Sequence, residues 1–181
     1  MKYINRWGLM RNTKPENLCE HSLETAFIAH ALTLIKNEHF GAKLNAEHSA
    51  VLAMFHDCSE IITGDMPTPI KYHNDYIKNA YKEIETLANN KLCSMLPENL
   101  RENYNKILNF EEYEKEYSEI IKSADKISAL IKCIEENNCG NTEFKKAEES
   151  IFAKIMENPT DETLFFMENI IPLYRLSLDE I

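Results

Sequence analysis

Glycine and proline are scarce, four and six in 181 residues, about half their usual share. A β-sandwich or barrel needs such turn residues at short intervals, so those architectures are disfavoured. Valine occurs once, at Val51, against many Ile, Leu, Ala, Glu and Lys. Basic residues are outnumbered: 20 Lys and Arg face 30 Asp and Glu, a formal net charge of −10. That balance disfavours polymeric nucleic acid, which is gripped by many Lys/Arg–phosphate contacts, and it disfavours docking on an anionic membrane. A small anionic substrate held by a few local cations stays open. Five cysteines (Cys19, Cys58, Cys93, Cys133 and Cys139) form no C-x-x-C pair. Odd in number and widely spaced, they read as free thiols in a reducing compartment. The first residues contain no apolar signal core, and no apolar run reaches membrane-spanning length. A cytoplasmic protein without a membrane partner is expected.

What is present is helical material. Hydrophobic residues make up 44% of the chain, enough for a full core. No linker, repeat or low-complexity tract divides it, so one all-α domain over residues 1–181 is expected. Periodicity predicts helices over about 19–36, 45–63, 74–96, 98–108, 111–137, 142–157 and 161–171. The first carries one apolar stripe of Leu23, Phe27, His30, Ala31 and Leu34 and another of Ile28, Leu32 and Ile35. A helix apolar on most of its circumference is expected to be central and buried. The second has Asn45 as its cap, Gly64 as its stop, and Val51, Leu52, Phe55, Cys58 and Ile62 on its core side. Asp65-Met66-Pro67-Thr68-Pro69 is expected to be a loop, because two closely spaced prolines oppose helix.

The most informative stretch is Phe55-His56-Asp57-Cys58-Ser59-Glu60. On a helix His56 and Asp57 are neighbours, with Glu60 between them one turn on. Ala46, Ser49, Ala50 and Ala53 precede them on the same face, and their small side chains let another element approach closely. Imidazole nitrogen with carboxylate oxygen suits a first-row divalent ion. An adjacent His-Asp pair also arises by chance at helix ends, so three further features matter. Glu20-His21-Ser22 opens the first helix, with His21 at the end of an apolar face, where a satisfied core histidine would also fit. Asp125, in Ser123-Ala124-Asp125, lies mid-helix beside Ile121 and Ala129, a costly position for an acid unless it is paired or bound to metal. A salt bridge to Lys122 or Lys132 would also serve. Gly64-Asp65-Met66-Pro67 follows the His-Asp pair directly.

The ordered set His21 … His56-Asp57 … Asp125 resembles the four-ligand signature of the HD-domain phosphohydrolases. With Ile4-Asn5-Arg6-Trp7, Glu20-His21-Ser22, His56 to Glu60, Gly64 to Pro69 and Ser123 to Asp125, nearly the whole chain resembles the bacterial 5′-deoxynucleotidases of that superfamily. The resemblance implies an all-α fold around one divalent transition metal (Co, Mn, Zn, Fe or Cu), held by His21, His56, Asp57 and Asp125. It implies that Glu60 handles protons for the attacking water and Arg6 orients the phosphate. Trp7 would contact the sugar, although a single Trp near a terminus more often anchors packing. Asp65, Met66, Pro67 and Thr68 would line the nucleoside side, with His21 and Asp125 also near the substrate. It implies hydrolysis of deoxyribonucleoside 5′-monophosphates by a homodimer. Cys19 and Cys58, which flank the proposed ligands, depart from the small non-thiol residues common there.

Two His and two Asp leave positions for water and substrate on a six-coordinate ion, whereas a structural zinc site would be closed and Cys-rich. Arg can hold phosphate oxygens in a fork that Lys cannot reproduce. No side-chain nucleophile stands out, which points to water attack. The alternatives are an HD-domain phosphohydrolase acting on a triphosphate or cyclic nucleotide, and a non-catalytic helical regulatory module. Against the first, no extra basic cluster awaits a polyphosphate; the second does not require the four candidate ligands to meet.

Overall fold

The protein was analysed as a computed structural model that describes residues 1–180. It contains α1 (Leu18–Phe40), α2 (Ala46–Phe55), α3 (Glu60–Thr63), α4 (Thr68–Lys71), α5 (Asp75–Ser94), α6 (Glu98–Leu108), α7 (Phe110–Tyr113), α8 (Lys115–Asn138), α9 (Lys145–Met156) and α10 (Asp161–Asn169). Short 3₁₀ turns cover 142–144, 171–175 and 178–180. No strand forms among the described residues; a single antiparallel bridge joins Asn5 to Asn17. The all-α expectation holds.

α1 is the centre. Asn17 caps it by accepting from the Cys19 and Glu20 amides, and the Glu20 side chain returns to the Asn17 amide, a capping box. Gly41 closes it at φ +73°, a left-handed conformation that glycine adopts without steric cost. α2, α8 and α10 pack around α1. Ala26, Ala29 and Leu32 of α1 meet Leu52 and Ala53 of α2 and Ile121, Ala124, Ile127 and Ile131 of α8 in one core. The small face of α2 allows the approach: Ala46, Ser49 and Ala53 are buried, and the Ser49 hydroxyl points at the Ala29 carbonyl.

Several expectations need correction. Leu23, Phe27 and Leu34 do not join the core; Phe27 is 66% exposed. α1 buries the stripe of Ile28, Leu32 and Ile35 together with small and polar residues such as Ala26, Ala29 and Thr33. Val51 and Ile62 are likewise exposed, while Leu52 and Cys58 are buried. The helix expected over 45–63 is interrupted after Phe55. Between His56 and Ile62 five amides reach back three residues, as in His56 N–H to Ala53, Cys58 to Phe55 and Glu60 to Asp57. This is 3₁₀-type winding, tighter than an α-helix, and it re-aims the side chains it carries. Pro69 does not forbid helix either: it sits in the first turn of α4, where a missing N–H costs nothing. The helix expected over 111–137 is split at Glu114 into α7 and α8.

The segment before α1 is tied to α8 by one buried acid. Glu136, 1% exposed, accepts from the Thr13 backbone amide and hydroxyl, the Lys14 backbone amide and the Asn141 side chain, and pairs with Lys132. Lys132 Nζ also donates to the Lys14 carbonyl at 2.6 Å. Burial resists charge on Glu136, but donors from Lys132, Thr13 and Asn141 hold its carboxyl well below the usual range. A carboxyl depressed in the folded state stabilises fully above its unfolded value, about 4.3. That contribution fades as pH falls below this value. Replacing Glu136 by Ala strands the Lys132 charge and should cost about 3 kcal/mol, read as a lower Tm by thermal denaturation. The deficit should shrink when the same measurement is made near pH 3.

Candidate metal centre

Three elements bring four candidate ligands together: His21, His56 and Asp57 form one tight group, and Asp125 joins it through His21. His21 comes from the first turn of α1, His56 and Asp57 from the tightened turn after α2, and Asp125 from the middle of α8. His21 Nε2 lies 3.1 Å from Asp125 Oδ1 and 3.4 Å from Asp57 Oδ2, and His56 Nε2 lies 3.1 Å from the same Asp57 oxygen. Ligand atoms of His21, His56 and Asp57 all fall within 4.8 Å of one another. The two imidazole rings stand 5.3 Å apart.

Each ring has its other nitrogen committed. His56 Nδ1 lies 2.7 Å from the Ala53 carbonyl. A carbonyl only accepts, so Nδ1 carries a proton, and Nε2 is the nitrogen left to bind a metal once its own proton is given up. That buried Nε2 has no hydrogen-bond partner. His21 Nδ1 lies 3.0 Å from Ser128 Oγ, and Ser128 donates its single hydrogen to Glu24 Oε2 at 2.6 Å. Ser128 must therefore accept from His21 Nδ1, leaving Nε2, 3.5 Å from the Thr25 hydroxyl, as the nitrogen that faces the carboxylates. A chain of hydrogen bonds behind a metal-binding imidazole, fixing tautomer and orientation, is the usual support for such a ligand.

The electrostatics call for a cation. Burial opposes charge on His56, but Asp57 and then Asp125 outweigh it and push the imidazole up to about 9. Burial likewise resists charge on Asp57 and Asp125, and the two imidazoles hold both carboxyls below their usual range. A divalent ion fits this donor set of two nitrogens and two carboxylates. Cys58 offers no competing thiolate: burial first, and then Asp57, push its thiol up to about 11. Cys19 is exposed.

Of the other expected residues, Arg6 reaches the cluster directly. Arg6 Nη2 lies 3.9 Å from Asp125 Oδ1, and Arg6 and Trp7 both donate to Glu16. Glu60 is buried and its Oε2 has no partner. Burial, with Asp57 and Asp65 adding to it, pushes Glu60 up to about 8. A carboxyl of that kind can hold or release a proton near neutral pH. Asp65 is half-buried; burial raises it, and the nearby Arg6 works in the opposite direction. Met66 and Pro67 follow it half-buried, and Thr68 is exposed at the start of α4. Among the described residues no hydrogen bond joins the Thr68 side chain to the cluster.

Sequence reasoning passed over Glu24, Ser128 and Glu16. The first two had a signal: Glu24 is three residues after His21 and Ser128 three after Asp125, so each lies beside a candidate ligand on its helix. Glu16 had none, since its partners are brought to it by the bridge between Asn5 and Asn17.

The family model described as 5′-deoxynucleotidase YfbR-like matches residues 1–174. A protein of Vibrio parahaemolyticus named 5′-deoxynucleotidase is 50% identical over 181 residues, covering 100% of this chain and 93% of that one. Among solved structures, an HD-domain phosphohydrolase from Listeria innocua superposes with TM-score 0.83 at 23% identity, covering 96% of this chain and 83% of that one. A cyanophage S-2L HD phosphohydrolase, described as bound to dA and one catalytic Zn2+ ion, superposes with TM-score 0.63 at 20% identity, covering 95% and 92%.

Removing the support behind His21 should weaken the site without removing a ligand. Ser128→Ala is expected to lower affinity for a divalent ion about 10- to 100-fold, measured by competition against a chelating dye. Unchanged affinity would separate Ser128 from the metal site.

Proposed function

Because the chain belongs to the YfbR-like 5′-deoxynucleotidase family, we propose that it hydrolyses deoxyribonucleoside 5′-monophosphates to deoxyribonucleoside and phosphate. His21, His56, Asp57 and Asp125 hold one divalent transition ion, Glu60 transfers protons, and Arg6 holds the phosphate. The observation that carries this reading is the pair of imidazole Nε2 atoms facing two carboxylates, with both Nδ1 atoms hydrogen-bonded elsewhere. The cyanophage relative's catalytic zinc and bound deoxyadenosine lend it support.

When bound, a divalent ion lowers the pKa of a water and neutralises charge on a phosphoryl oxygen. The chain's own residues do the rest. Arg6, anchored at Glu16 through Nη1, offers its remaining N–H groups to phosphate oxygens beside Asp125, in a planar fork suited to them. Glu60, with Oε2 buried and unpartnered, moves the proton between water and the departing 5′ oxygen. Trp7 walls the sugar, and Asp65, Met66, Pro67 and Thr68 line the nucleoside side. Lys71, the other cation that influences Glu60 and Asp65, is engaged by Glu85 at 2.7 Å, which favours a monophosphate over a longer phosphate chain.

The whole chain 1–181 acts as one HD domain, with Ile181 outside the described residues. It works as a homodimer, a state supported by the exposed Leu23, Phe27 and Leu34 on α1, an apolar face that a second copy would cover. All five cysteines are free thiols, and no described helix is long and apolar enough to cross a membrane; both features suit a cytoplasmic enzyme.

Phosphate release from a panel of deoxy- and ribonucleoside 5′-monophosphates, with several divalent ions, tests the reading. Deoxynucleotides should be hydrolysed, and chelation or Asp125→Ala should abolish release. Glu60→Gln should lower kcat about 10²- to 10⁴-fold. Trp7→Ala should relax deoxyribose preference about 10-fold while lowering turnover less. Activity that survives chelation would refute the metal mechanism, and equal loss on deoxy and ribo substrates would refute the role of Trp7.

A further inference from the structure

One carboxylate oxygen serves both residues assigned above to phosphate and sugar. Glu16 Oε2 accepts from Arg6 Nη1 at 3.0 Å and from Trp7 Nε1 at 3.0 Å. Glu16 is buried, 9% exposed. Its backbone does a separate job: the Arg6 amide donates to the Glu16 carbonyl at 2.9 Å, and the Leu18 amide donates to the Ile4 carbonyl at 2.9 Å. The bridge fixes where the segment runs, and the carboxylate fixes where its two side chains point.

Trp7 needs such a hold. Its backbone lies at φ +59°, a region that a bulky side chain rarely adopts. The indole packs at 5.4 Å on Phe144, and the Trp7 carbonyl accepts from the Met10 amide and the Asn12 side chain. Backbone held in a sparsely populated region is characteristic of ligand sites, where surrounding contacts over-determine one geometry. Arg6, meanwhile, reaches from Glu16 on one side to Asp125 on the other.

We propose that Glu16 is a positioning residue for sugar selectivity, locking the Arg6 guanidinium and the Trp7 indole onto one oxygen so that phosphate hand and sugar wall keep a fixed spacing. This rests on the assignment of Arg6 and Trp7 to the substrate. Within a nucleotide the distance from the 5′-phosphate to C2′ varies little. A wall rigidly tied to the phosphate hand therefore excludes a 2′-hydroxyl, whereas a wall that can retreat admits it. Apolar exclusion of a hydroxyl is weak by nature, so its effectiveness depends on that rigidity.

The test compares wild type, Glu16→Ala and Glu16→Gln as metal-loaded full-length proteins. Readouts are kcat and KM on a deoxynucleoside 5′-monophosphate and its ribo counterpart, thermal denaturation, and tryptophan emission. Trp7 is the sole tryptophan, so emission reports the indole directly. Glu16→Ala should lower the deoxy-to-ribo ratio of kcat/KM about 10-fold, mainly through a lower KM for the ribonucleotide, and should shift the emission. Glu16→Gln, whose amide oxygen still accepts, should retain most of both wild-type values. A lower Tm with unchanged ratio and emission in Glu16→Ala would mean a merely structural tether and overturn the proposal. Should Glu16→Ala fail to fold, Trp7→Phe, which keeps an aromatic ring but lacks the N–H donor, decides: a reduced ratio supports the proposal and a wild-type ratio overturns it. Absence of phosphate release by wild type would overturn the deoxynucleotidase reading and this proposal together, whereas an active wild type with unaltered selectivity in Glu16→Ala would overturn this proposal alone.

Discussion

Two carboxylates and two imidazoles meet within a few ångströms at the junction of α1, α2 and α8, and everything around them serves to make that junction tolerable. Like charges this close cannot stand in a poorly solvated place without a cation between them. The protein prepares for one by disposing of the imidazole protons on the far side: the Ala53 carbonyl takes one, and Ser128, backed by Glu24, takes the other. Both Nε2 atoms then face the carboxylates, and His21, His56 and Asp57 form a group that could hold a metal ion.

The fold can be seen as the means of bringing those groups together. α1 must run through the core for His21 to be fully buried at its first turn, and the capping box at Asn17 and Glu20 sets that turn. α2 must come close to α1, which its small face allows, and must then tighten so that His56 and Asp57 turn inward. α8 must be long and apolar so that Asp125 is carried at its middle. The segment before α1 is pinned twice, by Glu136 on α8 and by the bridge between Asn5 and Asn17. That double attachment sets Arg6 beside Asp125.

Much of this was legible in the sequence because periodicity and composition act locally. Few Gly and Pro meant helices; the single metal held by His21, His56, Asp57 and Asp125 was implied by the resemblance to a family, not by period or composition. What was not legible depended on long-range contacts. Leu23, Phe27 and Leu34 have helical spacing, yet no element covers them, and spacing alone does not show which apolar face finds a partner. The tightening after Phe55 and the break at Glu114 depend on what neighbouring helices demand, not on a breaker residue. The pairing of Glu16 with Arg6 and Trp7 joins residues about ten apart across an irregular segment that has no period to read. The net charge of −10 disfavours polymeric nucleic acid, while the half-buried Arg6 stands beside Asp125 as a local cation.

The central claim is that His21, His56, Asp57 and Asp125 hold one divalent ion through the two Nε2 atoms and the two carboxylates. Anomalous diffraction from crystals grown with a divalent transition metal tests it most directly. The account predicts one strong peak among these four side chains, with His21 bound through Nε2 and its Nδ1 still on Ser128. A peak elsewhere, or coordination of either histidine through Nδ1, would contradict it.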